Sequence, residues 1–154
     1  MNGKIFTLRN LYQSGTEKLE KAGIREAKLD AWYLLEYKTG ISRAVFLADP
    51  DREVEEEKAE SYQKDICTRA RRIPLQHITG EQEFMGLNFK VNENVLVPRQ
   101  DTEILVEEAL KRIRPDMQIL DMCTGSGCIL ESILKFGEKK QMHLKGTGCD
   151  ISCL

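Results

Sequence analysis

The stretch "ILDMCTGSGCILESILKF", Ile119 to Phe136, holds the residues best suited to chemistry. An apolar run ends in Asp121, and Gly125 and Gly127 follow one residue apart. Glycine lacks a Cβ, so it takes positive φ easily and lets a ligand come close to the backbone. A helix starting near Gly127 offers unbonded N–H groups to a carboxylate or a phosphate. Asp150 comes 23 residues after Gly127. At the end of the next strand, a carboxylate accepts both hydroxyls of a ribose, as a nucleoside-containing cofactor requires.

Two phosphate-binding patterns do not fit. The dinucleotide fingerprint Gly-x-Gly-x-x-Gly needs a third glycine at residue 130, which is Leu130. The P-loop needs Gly-Lys followed by Ser or Thr, and none occurs. A short Gly-x-Gly loop with an acid before it suits S-adenosyl-L-methionine better. That ligand has no phosphates to cradle and presents an amino acid head and an adenosine. A plain structural turn is the alternative reading of the same residues.

Such a loop needs a strand before it and a helix after it. Gln118 to Met122 reads as the strand and Gly127 to Phe136 as the helix. His143 to Asp150 is a second strand candidate, weakened by Gly146 and Gly148. Upstream, Asp101 or Thr102 caps a helix through about Arg112, and Pro115 breaks it. Helix, strand, loop, helix, strand is the opening of a doubly wound α/β sheet.

The preceding residues differ in character. Residues 1–73 read as helices. Ile5, Leu8, Leu11, Tyr12 and Leu19 form one stripe that stops near Gly23, and Ala27, Ala31, Leu34 and Leu35 form a second before Gly40. Ser42 caps a short helix over Arg43 to Ala48, and Pro50 breaks it. A fourth helix runs from about Glu53 to Arg71, with acids near its start and Arg69, Arg71 and Arg72 near its end, as the helix dipole favours. Residues 74–98 read as two short strands joined through Asn92 to Asn94, a hairpin linker.

The 154 residues are 41% hydrophobic and 31% charged, which predicts a globular chain. A net charge of −2 makes no global case for direct nucleic-acid binding. No apolar run approaches the roughly 20 residues that cross a bilayer, and "MNGKIFTLRN" has no signal-peptide pattern. Cys67, Cys123, Cys128, Cys149 and Cys153 are odd in number and contain no Cys-x-x-Cys, so they read as reduced thiols used as small apolar residues. His77 and His143 lack ligand spacing, so no metal site is expected. A cytoplasmic location follows by default.

"PLQHITGEQEFMGLNFKVNENVLVPRQDTEILVEEAL" followed by "ILDMCTGSGCI" resembles the release factor glutamine N5-methyltransferase family. Together "VLVPRQDTE" and "DMCTGSG" are highly specific, and the resemblance covers nearly the whole chain. Gln100 stands where a proline is commonest. Leu130 stands where a small residue is common, and this predicts crowding of helix against sheet. The resemblance implies a separate all-α amino-terminal domain (1–73) that helps recognise the release factor, a β-hairpin linker (74–98), and the start of a Rossmann-like S-adenosylmethionine-dependent methyltransferase sheet (99–154). It implies methyl transfer to the glutamine side-chain nitrogen of the Gly-Gly-Gln motif of peptide chain release factors. By match, Cys123, Thr124, Gly125, Ser126 and Gly127 form the cofactor loop, and Asp150 holds the ribose. Arg99, Asp101, Thr102 and Glu103 lie near the cofactor and the substrate entrance, or simply begin a helix. Asp121 orients the loop or contacts the cofactor's amino group.

An amide nitrogen is a poor nucleophile because its lone pair is delocalised. In this family an Asn-Pro-Pro-Tyr motif holds that amide. Asn88, Asn92 and Asn94 are not followed by proline, and no Pro-Pro occurs. The 154-residue chain is therefore expected to be inactive alone and to bind the cofactor less tightly. With one edge of Gln118–Met122 unpaired, residues from about 115 onward are expected to be the least stable portion. Two rival readings are a non-catalytic release-factor-binding module and a nucleic-acid amino-methyltransferase.

Overall fold

The computed structural model describes residues 5–151, and the chain divides into two compact units between Thr79 and Gly80. The first unit holds helices α1 (Leu8–Lys21), α2 (Ala27–Thr39), α3 (Arg43–Ala48), α4 (Glu56–Ala70) and α5 (Leu75–Thr79). Two short strands, β1 (Phe6–Thr7) and β2 (Glu53–Val54), pair antiparallel, with Phe6 opposite Val54. The helices form because their apolar residues recur every three or four positions, so each buries one stripe. Leu8, Leu11 and Leu19 of α1, Ala31, Leu34 and Leu35 of α2, and Ala59, Tyr62 and Ile66 of α4 make one core.

Helices α1 and α4 meet at Gly15. A Cβ placed there would lie 2.9 Å from Tyr62 Cζ and 3.1 Å from Ile66 Cδ1, so only a hydrogen fits. The Tyr62 hydroxyl points across to the Ala31 carbonyl at 3.4 Å. Arg69 donates to Asp30 at 2.7 Å and to the Ile73 carbonyl, which ties the end of α4 to α2 through a largely buried ion pair.

Burial raises the Tyr62 phenol well above its ordinary value of 10.0. The unfolded chain therefore ionises first as pH rises, and the folded state loses stability above about pH 10. Urea melts between pH 8 and 11, followed by Trp32 fluorescence, should show this slope. Tyr62→Phe should flatten it, and an equal slope in that variant would refute the assignment to Tyr62.

In the second unit, β3 (Glu81–Phe84) and β4 (Leu87–Lys90) form an antiparallel hairpin. Helix α6 (Gln100–Leu110) precedes strand β5 (Gln118–Met122), helix α7 (Cys128–Lys139) and strand β6 (Lys145–Cys149). β6 pairs parallel with β5, placing Asp121 opposite Gly148 and Met122 opposite Cys149. Phe84, Phe89, Val106, Cys128 and Ile133 form the core of this unit. Among the described residues, β5 pairs only with β6, and Leu120 and Met122 are exposed on the face away from α7.

Several expectations need correction. The hairpin turns at Met85 (φ 54°) and Gly86 (φ 71°), not at Asn92 to Asn94. Two consecutive left-handed residues match the right-handed twist of a two-residue hairpin, and residues 95–97 form no strand. Helix α6 is capped at Arg99 rather than at Asp101 or Thr102, and no side chain bonds its first turn. Helix α4 starts three residues later than expected because Glu53 and Val54 are used in β2. Ile5 lies outside α1 and is exposed. Only Cys128 is a buried thiol; Cys67, Cys123 and Cys149 are exposed, and Cys153 lies outside the described residues.

Candidate functional site

The loop from Cys123 to Gly127 joins β5 to α7. Three of its residues are left-handed: Cys123 (φ 63°), Gly125 (φ 54°) and Gly127 (φ 76°). Glycine is suited to the last two positions by backbone angle rather than by crowding, since nothing lies within 4 Å of a Cβ on Gly125. Gly127 is the cap residue of α7 and supplies no side-chain acceptor to its first turn. The start of α7 therefore has no side-chain cap from Gly127.

Hydrogen bonds among the described residues hold the loop. Thr124 N–H donates to the Cys149 carbonyl at 3.0 Å, and Gly127 N–H donates to the Thr124 carbonyl at 2.9 Å. The Thr124 hydroxyl donates to Asp121 Oδ2 at 2.8 Å. Gly125 N–H donates to Asp150 Oδ2 at 2.7 Å. The structure thus brings Asp121, Cys123, Thr124, Gly125, Ser126, Gly127 and Asp150 into one region at the carboxyl ends of two parallel strands. Asp121 and Asp150 each bring a carboxylate to the loop, one against the Thr124 hydroxyl and the other against the Gly125 N–H.

The loop's supports explain two glycines that weaken β6 as a sequence pattern. A Cβ on Gly148 would lie 3.1 Å from Thr124 Cγ2, and one on Gly146 would lie 2.8 Å from a δ-carbon of both Leu130 and Leu134. The crowding expected from Leu130 is therefore relieved on the strand: Gly146 makes room for it. Sequence reasoning missed this pairing, although two glycines alternating in a strand opposite a bulky helix residue were the signal. Gly146→Val should cost about 1–3 kcal/mol by overpacking, read by urea denaturation. Leu130→Ala in the same chain should recover part of that loss.

Arg99, Thr102 and Glu103 are placed differently. Glu103 Oε1 accepts the Met85 N–H at 2.8 Å, anchoring the hairpin turn to α6. Thr102 N–H donates to the Arg99 carbonyl, and Arg99 is exposed. The bonds that fix the loop run to Asp121, Cys149 and Asp150, not to this segment. Cys128, the first residue of α7, is buried, and desolvation pushes its thiol pKa up.

Residues 10–80 match the family model of the PrmC N-terminal domain. The chain is 37% identical over 132 residues to a release factor glutamine methyltransferase of Geobacter sulfurreducens, covering 86% of the chain and 46% of that relative. It is 42% identical to the one of Clostridium botulinum (79% of the chain, 44% of the relative) and 36% identical to that of Caulobacter vibrioides (95% and 50%). The chain spans about half the length of the curated relatives it matches. The chain is thus similar to release factor glutamine methyltransferases, as its motifs indicated, and its residues 10–80 are similar to the PrmC N-terminal domain.

Proposed function

We propose that this chain supplies the substrate-recognition domain and the cofactor loop of an S-adenosylmethionine-dependent enzyme that methylates a release factor. The acceptor is the glutamine side-chain nitrogen of the Gly-Gly-Gln motif. Residues 1–73 act as the recognition domain, 74–98 as a linker, and 99–154 as the start of a Rossmann-like methyltransferase sheet. The observation that carries this reading is the Cys123–Gly127 loop. Left-handed at three positions, it is bonded to the Asp121 and Asp150 carboxylates and precedes a helix without a side-chain cap.

These residues fit the cofactor by their donor set. Ser126, with the first turn of α7, offers N–H groups to the carboxylate of its amino acid head, while the Gly125 and Gly127 N–H groups stay bonded to Asp150 and Thr124 and shape the loop. Asp150 accepts from its ribose hydroxyls, and Asp121 holds the loop in shape through Thr124. When bound, S-adenosylmethionine supplies an electrophilic methyl group on a sulfonium. Much of the remaining task is positioning. Glu103 serves that end by fixing the hairpin against α6. Arg99 and Thr102, at the start of α6, are assigned to the substrate entrance.

Isothermal titration of the 154-residue chain with S-adenosylmethionine tests the cofactor half of this reading. A release-factor pull-down tests the recognition half. The chain has no Asn-Pro-Pro-Tyr to hold the acceptor amide, so a methylation assay with this polypeptide alone should give no turnover. Release-factor binding without cofactor binding would instead favour a purely non-catalytic module.

A further inference from the structure

We propose that Lys18 and Cys67 form a peroxide-responsive site that closes into a covalent bond between α1 and α4. The two residues are 49 positions apart, yet the Lys18 ammonium donates to Cys67 Sγ at 2.8 Å. Both sit on the wall of an open cleft of about 230 Å³, together with Ser14, Gln63 and Tyr62. The close approach of the two helices at Gly15 sets this spacing, because no side chain separates them there. Cys67 is exposed, and the cleft exceeds the roughly 30 Å³ share of one water molecule several-fold, so a small oxidant reaches the sulfur.

The chemistry follows from the two groups. Cys67 sulfur attacks one oxygen of hydrogen peroxide and the O–O bond breaks. The thiol becomes a sulfenic acid and one water leaves. Sulfur is oxidised by two electrons and peroxide is reduced. Sulfenic acids condense with thiols or with nitrogen. Among the described residues no second cysteine is placed at this contact, but the Lys18 amine is. Once Lys18 has given its extra proton to solvent, its nitrogen attacks the sulfenyl sulfur. An S–N bond forms, the S–O bond breaks, and the departing hydroxide takes the amine proton as a second water. The sum is one thiol, one amine and one peroxide giving one sulfenamide and two waters. The product staples two helices of the recognition domain and is reopened by a thiol reductant.

The test is peptide mapping of the 154-residue chain after brief treatment with hydrogen peroxide. The expected product is one linked pair of peptides carrying Lys18 and Cys67. It is lighter by two hydrogens than the sum of its parts, and dithiothreitol separates it. Lys18→Arg should abolish the link while leaving a Cys67 sulfenic acid that dimedone traps, and Cys67→Ser should give neither. Both side chains are exposed, and circular dichroism checks that the variants fold. The link should form at least tenfold more in the folded chain than in urea. Equal yield in urea would overturn the proposal. So would a Cys67 sulfenic acid that dimedone captures in full while Lys18 stays unlinked in the unmodified chain.

Discussion

An Asp150→Ala chain is expected to bind S-adenosylmethionine ~10- to 100-fold more weakly than the unmodified chain in isothermal titration. The range follows from losing the equivalent of one charge-assisted hydrogen bond, about 1.5–3 kcal/mol, at 1.4 kcal/mol per decade of affinity. Two effects contribute. The carboxylate holds the Gly125 N–H and so shapes the loop, and in the proposed function it also accepts from the ribose. Asp150→Asn separates them. The amide keeps one acceptor oxygen for Gly125 but loses the charge and the second acceptor. If loop shape dominates, Asp150→Asn binds nearly as well as the unmodified chain. If ribose contact dominates, it is close to Asp150→Ala. Unchanged affinity in both variants would remove Asp150 from the site.

Gly15→Val should destabilise the helical unit by about 3 kcal/mol, at the upper end of what overpacking costs. Natural domains hold only about 5–15 kcal/mol in total, so this is a large share. A Cβ at residue 15 runs into the Tyr62 hydroxyl and approaches Ile66. Tyr62 is fully buried and its hydroxyl is directed to the Ala31 carbonyl, so moving it disturbs both the core and that contact. The branched valine adds a second methyl to the same gap and disfavours the helix slightly on its own. Urea unfolding read by Trp32, which is buried in the same core, measures the loss. Because the conflict is with a particular oxygen, Gly15→Ala should be rescued in part by Tyr62→Phe, a non-additive pair. Strict additivity of those two substitutions would contradict the packing account.

What could be read in advance follows the range of the interactions involved. Helix α3 occupies Arg43–Ala48 as the sequence indicated, although Ser42 forms no side-chain cap bond there. Its bounds follow from apolar residues set between Ser42 and Pro50, which are local features. β5 occupies Gln118–Met122 as expected, because an apolar run before a glycine loop is also local. β1 and β2 were not legible, since each has two residues and exists only through pairing with the other. Helix α5 was missed for a related reason. Pro74 reads as the end of a helix, yet it also starts one: the His77 N–H donates to the Pro74 carbonyl, where a ring without an N–H loses nothing.

The candidate site divides in the same way. The loop residues were visible as a motif, but what holds them was not. Nothing in "DMCTGSG" says that Thr124 turns back to Asp121, or that Gly146 gives Leu130 its space. Those relations depend on the register of β6 against β5, which is fixed across some 25 residues and a helix. From the sequence, Asp150 reads as a ribose acceptor. Its bond to the loop backbone appears only once the strands are aligned.

The loop's two longest-range anchors, Cys149 and Asp150, are the last residue of β6 and the residue after it. A chain emerging from the ribosome therefore exposes Gly125 and Gly127 well before it can shape them. Until residues 149 and 150 arrive, the glycines are only a flexible hinge between a strand and a nascent helix. The helical unit, whose internal contacts end at residue 79, has its full set of residues by then. In the proposed function, recognition of a release factor thus becomes possible during synthesis before cofactor capture does.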